Sequence, residues 1–283
     1  ILYREDFESD GFLSSIIASV VAYTTYASIV GYGAVFGELK EFTFNDATEL
    51  IFYCLLGFLC APFSWVYIKF FYQIRDMFVR LKIPNMYKPA IGGLVVGILF
   101  YVRPEVIAGS WHFLINAMEG TIAQGEPIYV VVFTLLSISF VKIIATSFTV
   151  GSGGSGGVFG PSLFIGGMFG GALGYTFNGL FPEIVTQPGA FVIVGMGAFF
   201  AGAANAPVAT VVMVCELTGS YNLLAPLMIA SAIHIFIAHK WSIYENQVLN
   251  KFHSKAHRND MNIDVLKNLL ISDVIDKKRQ VIR

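Results

Sequence analysis

Gly151-Ser152-Gly153-Gly154-Ser155-Gly156-Gly157-Val158-Phe159-Gly160-Pro161 is the stretch on which the reading of this chain turns. No bulky side chain occurs from 151 to 157, and Pro161 follows closely. A Pro in the first turn of a helix costs no hydrogen bond, because its missing N–H would have no intrahelical partner there. The pattern therefore predicts a bare loop followed by a helix that starts at Val158 or Phe159. The free backbone N–H groups and positive dipole end of that helix would face the break, and an anion is their natural occupant. Glycines recur afterwards at 166, 167, 170, 171 and 174. The competing reading is that small residues here only allow two helices to cross tightly. A nucleotide phosphate loop is rejected, because it needs a Lys and a Ser or Thr at its end, where this chain has Phe159, Gly160 and Pro161.

The surroundings of this loop are apolar. No charged residue occurs from Ile143 to Pro182, from Ile184 to Cys215 or from Leu217 to His239. Charge gathers instead at the ends, in residues 1–10 and 251–283. Over the 283 residues only 13% are charged while 55% are hydrophobic, which excludes a disordered chain and identifies membrane protein material. The balance of 18 Lys and Arg against 19 Asp and Glu excludes a protein built for nucleic acid. Cys54, Cys60 and Cys215 share no paired spacing, so neither a disulfide framework nor a zinc cluster is expected. The acidic first ten residues do not resemble a signal peptide. The opening on Ile reads as a cut, and the chain as a fragment of a longer one.

The apolar segments predict an all-α polytopic membrane protein. They are Gly11–Gly33, Leu50–Tyr72, Pro89–Tyr101, Gly109–Met118, Pro127–Thr149, Val158–Phe181, Ala190–Phe200, Pro207–Leu217 and Leu223–Ala238. Thr43 and Asn45 read as turn or cap residues. Ser28, Gly31 and Gly33 suit a close approach or a helix end. Arg75, Asp76, Arg80, Lys82 and Lys88 read as an interface after the second span, on the cytoplasmic side by the positive-inside rule. Several segments are shorter than the roughly 20 residues a crossing needs, yet no soluble linkers separate them. Broken helices at membrane depth are tolerated only where they line a cavity or are buried in protein, and half-helices meeting at midplane are how transporters build ion sites. Tyr244–Phe252 reads as a short helix, and Met261–Arg283 as the amphipathic start of something soluble.

Lys142 stands alone in a span, eight residues before the glycine loop, where its charge would favour anions on their approach. The alternative is a snorkelling or interfacial lysine. Glu216, just before Leu217-Thr218-Gly219, reads as a structural carboxylate at a helix end. His112, His234 and His239 share no ligand spacing, and His234 reads as a packed donor. No nucleophile arrangement or carboxylate pair indicates an enzyme, and no metal or cofactor is expected.

Gly157-Val158-Phe159-Gly160-Pro161 resembles the anion-site motif in the second half of the CLC family of chloride channels and chloride/proton exchangers. The run Ala145–Gly174 resembles prokaryotic members in particular. Met196-Gly197-Ala198, Asn205-Ala206-Pro207 and Ser242-Ile243-Tyr244 extend the likeness, which covers nearly all of residues 11–250.

The resemblance implies a CLC-type inverted-repeat fold with broken, tilted helices, of which this chain carries only the second repeat and the start of a cytoplasmic tail. It places chloride near midmembrane, on the amides of Val158 and Phe159 at the start of that helix, beside the loop of Gly156, Gly157, Gly160 and Pro161. Tyr244 would reach in from the last membrane helix and donate its hydroxyl. Such neutral donors hold an ion loosely enough for it to leave. The first-half serine and gating glutamate motifs would be missing. So would the proton glutamate of exchangers, expected just upstream of Ile1, and Glu5 and Glu8 do not replace it. The resemblance further implies a homodimer with one pore per subunit, in the cell membrane. Its dimer face would be formed by Gly11–Gly33, Pro207–Leu217 and Leu223–Ala238. Residues 251–283 would be a cytoplasmic linker, with Leu269–Ile275 opening a nucleotide-sensing CBS domain. The expected activity is chloride/proton antiport. The alternatives are a passive chloride channel, a fluoride-selective relative (disfavoured by Tyr244), a non-transporting membrane scaffold, and a carboxylate transporter. The last is disfavoured because no Arg lies near the glycine loop.

Overall fold

The computed structural model describes residues 12–37, 39–44, 46–106 and 111–248. Among these it contains helices and short 3-10 turns. The helices are α1 (Phe12–Val30), α2 (Leu50–Arg80), α3 (Lys88–Val102), α4 (Trp111–Glu119), α5 (Ile128–Gly151), α6 (Phe159–Leu180), α7 (Pro188–Ala204), α8 (Pro207–Thr218) and α9 (Leu224–Ala238). Each predicted apolar segment coincides with one of them. Residues 31–245 form one compact unit, and α1 belongs to another. Asn45 and the tail from 249 onward, with its expected linker and CBS opening, lie outside the described residues.

Four stretches among the described residues are long and apolar enough to cross a membrane: Phe12–Val30, Ala47–Arg80, Asn85–Val102 and Ile128–Gly151. The third corrects the expectation that Pro89–Tyr101 is too short to span. A 3-10 turn, Asn85–Tyr87, runs directly into α3 and brings the stretch to 18 residues. The second span also outruns its expected end at Tyr72. Its charged residues Arg75, Asp76 and Arg80 are part of α2 itself. The helix persists because its apolar stripe does: Phe71 and Phe78, seven residues apart, are both buried. Phe78 meets Phe148 of α5 edge-on at 5.9 Å.

Chain punctuation sets the remaining boundaries. Pro188 and Pro207 occupy the first turns of α7 and α8, where their rings cost nothing. α8 ends on Gly219 at φ 67°. α7 ends on Asn205 at φ 54°, the single non-glycine residue with positive φ among those described. Asn is among the few side chains that tolerate this conformation. α1 stops at Val30 before Gly31, whose φ is 109°. A Cβ there would meet nothing within 4 Å, so this glycine ends the helix and does not permit a close approach. The expected helix from Tyr244 is absent over 244–248, which form turn and irregular backbone.

α6 and α7 form the centre of the unit and pack most extensively on each other; α2, α5 and α9 surround them. Aromatic pairs join these layers. Phe63 of α2 stacks on Phe169 of α6 at 4.2 Å, and Tyr53 of α2 on Phe191 of α7 at 4.3 Å.

Candidate anion site

α5 ends at Gly151, and its last carbonyls are used up by the chain that follows. Gly153 N–H donates to Val150 at 3.0 Å and Gly154 N–H to Thr149 at 3.1 Å. Ser155, Gly156 and Gly157 are then exposed. α6 begins at Phe159, with Val158 as the flanking residue, where the sequence pattern placed it. The first N–H groups of any helix lack intrahelical partners, so those of this turn face the break. The carbonyl of Val158 is occupied from the other side. It accepts from Ser162 N–H at 3.0 Å and from Ser162 Oγ at 2.6 Å, which fixes the orientation of the Val158–Phe159 peptide.

The glycines divide into two groups with different tasks. A Cβ on Gly166 would lie 2.6 Å from the Gly195 carbonyl oxygen, and one on Gly174 2.7 Å from that of Pro188. Gly167 and Gly171 face side chains, where a Cβ would lie 2.6 Å from Leu114 Cδ1 and 2.9 Å from Val192 Cγ2. For this stripe the helix-crossing reading is right. The loop differs: a Cβ on Gly157 would meet nothing within 4 Å, and one on Gly160 only Trp111 at 3.7 Å. No crossing accounts for these two.

A cavity of about 260 Å³ opens beside the loop, lined by Lys142, Ser155, Gly156, Gly157, Gly160 and Pro161, with Trp111 and Phe164 among its apolar walls. Lys142 is buried. It is 7% exposed, its Nζ donates to the Val106 carbonyl at 2.8 Å, and it lies 5.1 Å from the Phe164 ring centroid. The ammonium thus reaches the 3-10 turn Pro104–Val106.

Tyr244 does not line this cavity. It is half-buried, and with Val158 it packs against the apolar core. On α2, the Tyr67 hydroxyl faces Ser162 Oγ at 3.5 Å, in the first turn of α6. Phe159 sets its ring edge-on to Phe200 at 5.0 Å. Lys142 and the glycines thus share the cavity, while Tyr67 and Ser162 meet at the start of α6.

The backbone that carries Tyr244 is held at several points. Asn205 Nδ2 donates to the Trp241 carbonyl at 3.1 Å, and Ile243 N–H donates to Ala203 at 2.8 Å. The Tyr72 hydroxyl donates to Ile243 at 2.7 Å and accepts from Glu245 N–H at 3.1 Å. Sequence reasoning missed Tyr67, Tyr72 and Ser162. Their one signal was hydroxyl groups placed within otherwise apolar segments.

Elsewhere, Glu216 accepts from the Tyr221 hydroxyl across the turn after α8, and the exposed phenol is pushed up in pKa by that bond. Both observations agree with a structural carboxylate. Cys60 and Cys215 are buried. Among the described residues no group of three His, Cys, Asp or Glu is placed to hold a metal.

Comparison with known proteins gives a consistent result. The family model described as voltage gated chloride channel matches residues 1–239. The H(+)/Cl(-) exchange transporter ClcA of Vibrio vulnificus is 32% identical over 222 residues, 76% of this chain and 45% of that protein. The putative chloride channel protein ClcB-like of Ralstonia nicotianae is 30% identical over 224 residues, 79% and 50% of the two chains. The chain thus spans about half the length of the curated relatives it matches. Among solved structures, a slow cyanobacterial Cl-/H+ antiporter aligns with TM-score 0.65 at 23% identity, covering 75% of this chain and 48% of that one. A CLC-type fluoride/proton antiporter aligns with TM-score 0.67 at 18% identity, covering 87% and 58%. At these identities the two structures speak for the fold, an all-α, multi-span bundle of broken helices.

Proposed function

The chain belongs to the voltage-gated chloride channel family, and from that premise we propose that it is the second half of a membrane domain whose parent protein exchanges chloride for protons. The observation that carries the reading is the open glycine loop. It leaves the start of α6 accessible, and no helix crossing explains Gly157 or Gly160. In this reading the amides of Val158 and Phe159 and the hydroxyl of Tyr244 coordinate the anion. Each supplies a neutral N–H or O–H donor, so the ion is bound without being trapped by a full positive charge. Lys142, buried beside the same loop, raises the local anion concentration without touching the ion. Antiport is favoured over passive flow by the exchange activity named for the Vibrio relative. A passive channel is the second reading, favoured by the name of the Ralstonia relative. The parent is taken as a homodimer in the cell membrane with one pore per subunit. Its tail is taken as cytoplasmic, with residues 251–283 leading into a CBS domain that could bind a nucleotide.

The test is flux through the full-length parent in liposomes with an outward chloride gradient and valinomycin to carry potassium. Chloride efflux with rising external pH, as protons enter the vesicles, is the expected result. Efflux without a pH change establishes the channel. No chloride movement by folded protein overturns the transport reading.

A further inference from the structure

We propose that Tyr72 of α2 is a positioning residue for the anion site, fixing the Tyr244 backbone in register with the start of α6. This rests on the reading of Tyr244 as an anion donor. A phenol is both donor and acceptor, and Tyr72 uses both capacities on the two neighbours of Tyr244. Its hydroxyl donates to the carbonyl of Ile243 at 2.7 Å and accepts from the N–H of Glu245 at 3.1 Å. The residue between them is held from both sides, in a segment that has no helix of its own to stiffen it. The Tyr72 ring is itself fixed. The Arg75 guanidinium lies 5.4 Å from its centroid, and Phe71 meets it edge-on at 5.3 Å.

What makes this a matter of the site, and not only of packing, is where else α2 is anchored. One turn earlier Tyr67 faces Ser162 in the first turn of α6. At Arg75, the α2 backbone lies so close to Gly151 that a Cβ there would come within 3.2 Å of it. Gly151 is the last residue of α5 before the glycine loop. Residues 67–75 of α2 therefore touch the entry to the loop, the start of α6 and the Tyr244 segment. Tyr72 is the contact that ties the third to the first two.

The test compares full-length parent proteins carrying Tyr72→Phe, Tyr244→Phe, both, or Tyr175→Phe. Tyr175 is also buried and makes one hydroxyl bond, to Ala117 at 3.2 Å. It lies about 24 Å along α6 from Phe159 by helical rise, and so controls for loss of a buried phenol bond. Chloride affinity is measured by titration calorimetry, and melting temperature alongside it. Tyr72→Phe is expected to weaken chloride binding roughly three- to tenfold, Tyr175→Phe to leave it unchanged, and Tyr72→Phe to add nothing once Tyr244→Phe is present. An affinity in Tyr72→Phe equal to that of the control overturns the proposal, as does an equally large loss in the absence of the Tyr244 hydroxyl. A second readout is independent of chloride: the fluorine NMR line of 3-fluorotyrosine at position 244 should be single and narrow, and broaden or split in Tyr72→Phe. An unchanged line overturns the clamp. A line that broadens while Tyr244→Phe binds chloride normally shows instead that the reading of Tyr244 as anion donor was the error, and removes the role at the anion site with it.

Discussion

His234 is fully buried in α9, and both of its ring nitrogens are engaged. Nδ1 lies 2.7 Å from the Ala198 carbonyl of α7, and Nε2 lies 2.8 Å from Ser64 Oγ of α2. A carbonyl only accepts, so Nδ1 carries a proton. The Ser64 hydroxyl sits between Nε2 and the Ala61 carbonyl, to which it donates at 2.9 Å. His234→Leu should lower stability by about 0.6–2 kcal/mol, the span found for interhelical bonds in membranes. Ser64→Ala should cost less, because the imidazole still bonds Ala198. Thermal melts of the two variants check this order. Gly202→Ala belongs with them, since its methyl would fall on the imidazole ring. The sequence identified His234 as a packed donor. It did not identify Ser64 as its partner, because 170 positions separate them and no periodicity links two different helices.

Helices α6 and α7 meet through glycines on both sides, and the contact is reciprocal. A Cβ at Gly195 would lie 2.6 Å from the Cα of Gly170 and from the Gly166 carbonyl oxygen. Backbone cannot swing aside as a side chain can, so Gly195→Val must separate the two helices. Overpacking costs about 1–3 kcal/mol in well-packed cores, and more where backbone is struck. Gly195→Val should accordingly lower the yield of folded protein and its melting temperature. Gly157→Ala, in open space, should leave both within error of the original. Equal behaviour of the two variants would merge the groups that the structure separates. The bounds of α8 were readable because proline and glycine act locally: Pro207 opens it and Gly219 closes it, whereas α7, expected from Ala190, starts two residues earlier at Pro188. The far end of α2 was not readable. Arg75, Asp76 and Arg80 look like an exit, and only the packing of Phe78 on Phe148 shows that the helix continues.

At the scale of the molecule, the membrane class and the order of helices follow from where charge is missing. The proposed site is legible only in part, since its glycine loop is continuous in sequence while Tyr67 and Tyr72 of α2 meet the start of α6 and the Tyr244 segment only through packing. Lys142 was recognised as unusual, but its burial against Val106 depends on how α5 packs. A bound anion should stabilise the whole parent domain. At a hundredfold excess over its dissociation constant, chloride is expected to add about 2.7 kcal/mol, read as a rise in melting temperature against gluconate at equal ionic strength. The rise should shrink in Tyr244→Phe. The Tyr72 clamp also has a chronology. Tyr72 and Glu245 are 173 residues apart, so at about 5–20 residues per second the ribosome takes roughly 10–35 s to deliver the second after the first. Throughout that interval α2 is already made, while the Tyr72 hydroxyl lacks both of its final hydrogen-bond partners. In the proposed reading, the anion site is therefore completed by a short irregular segment that follows the nine helices among the described residues, and a chain stalled before residue 241 would lack the clamp.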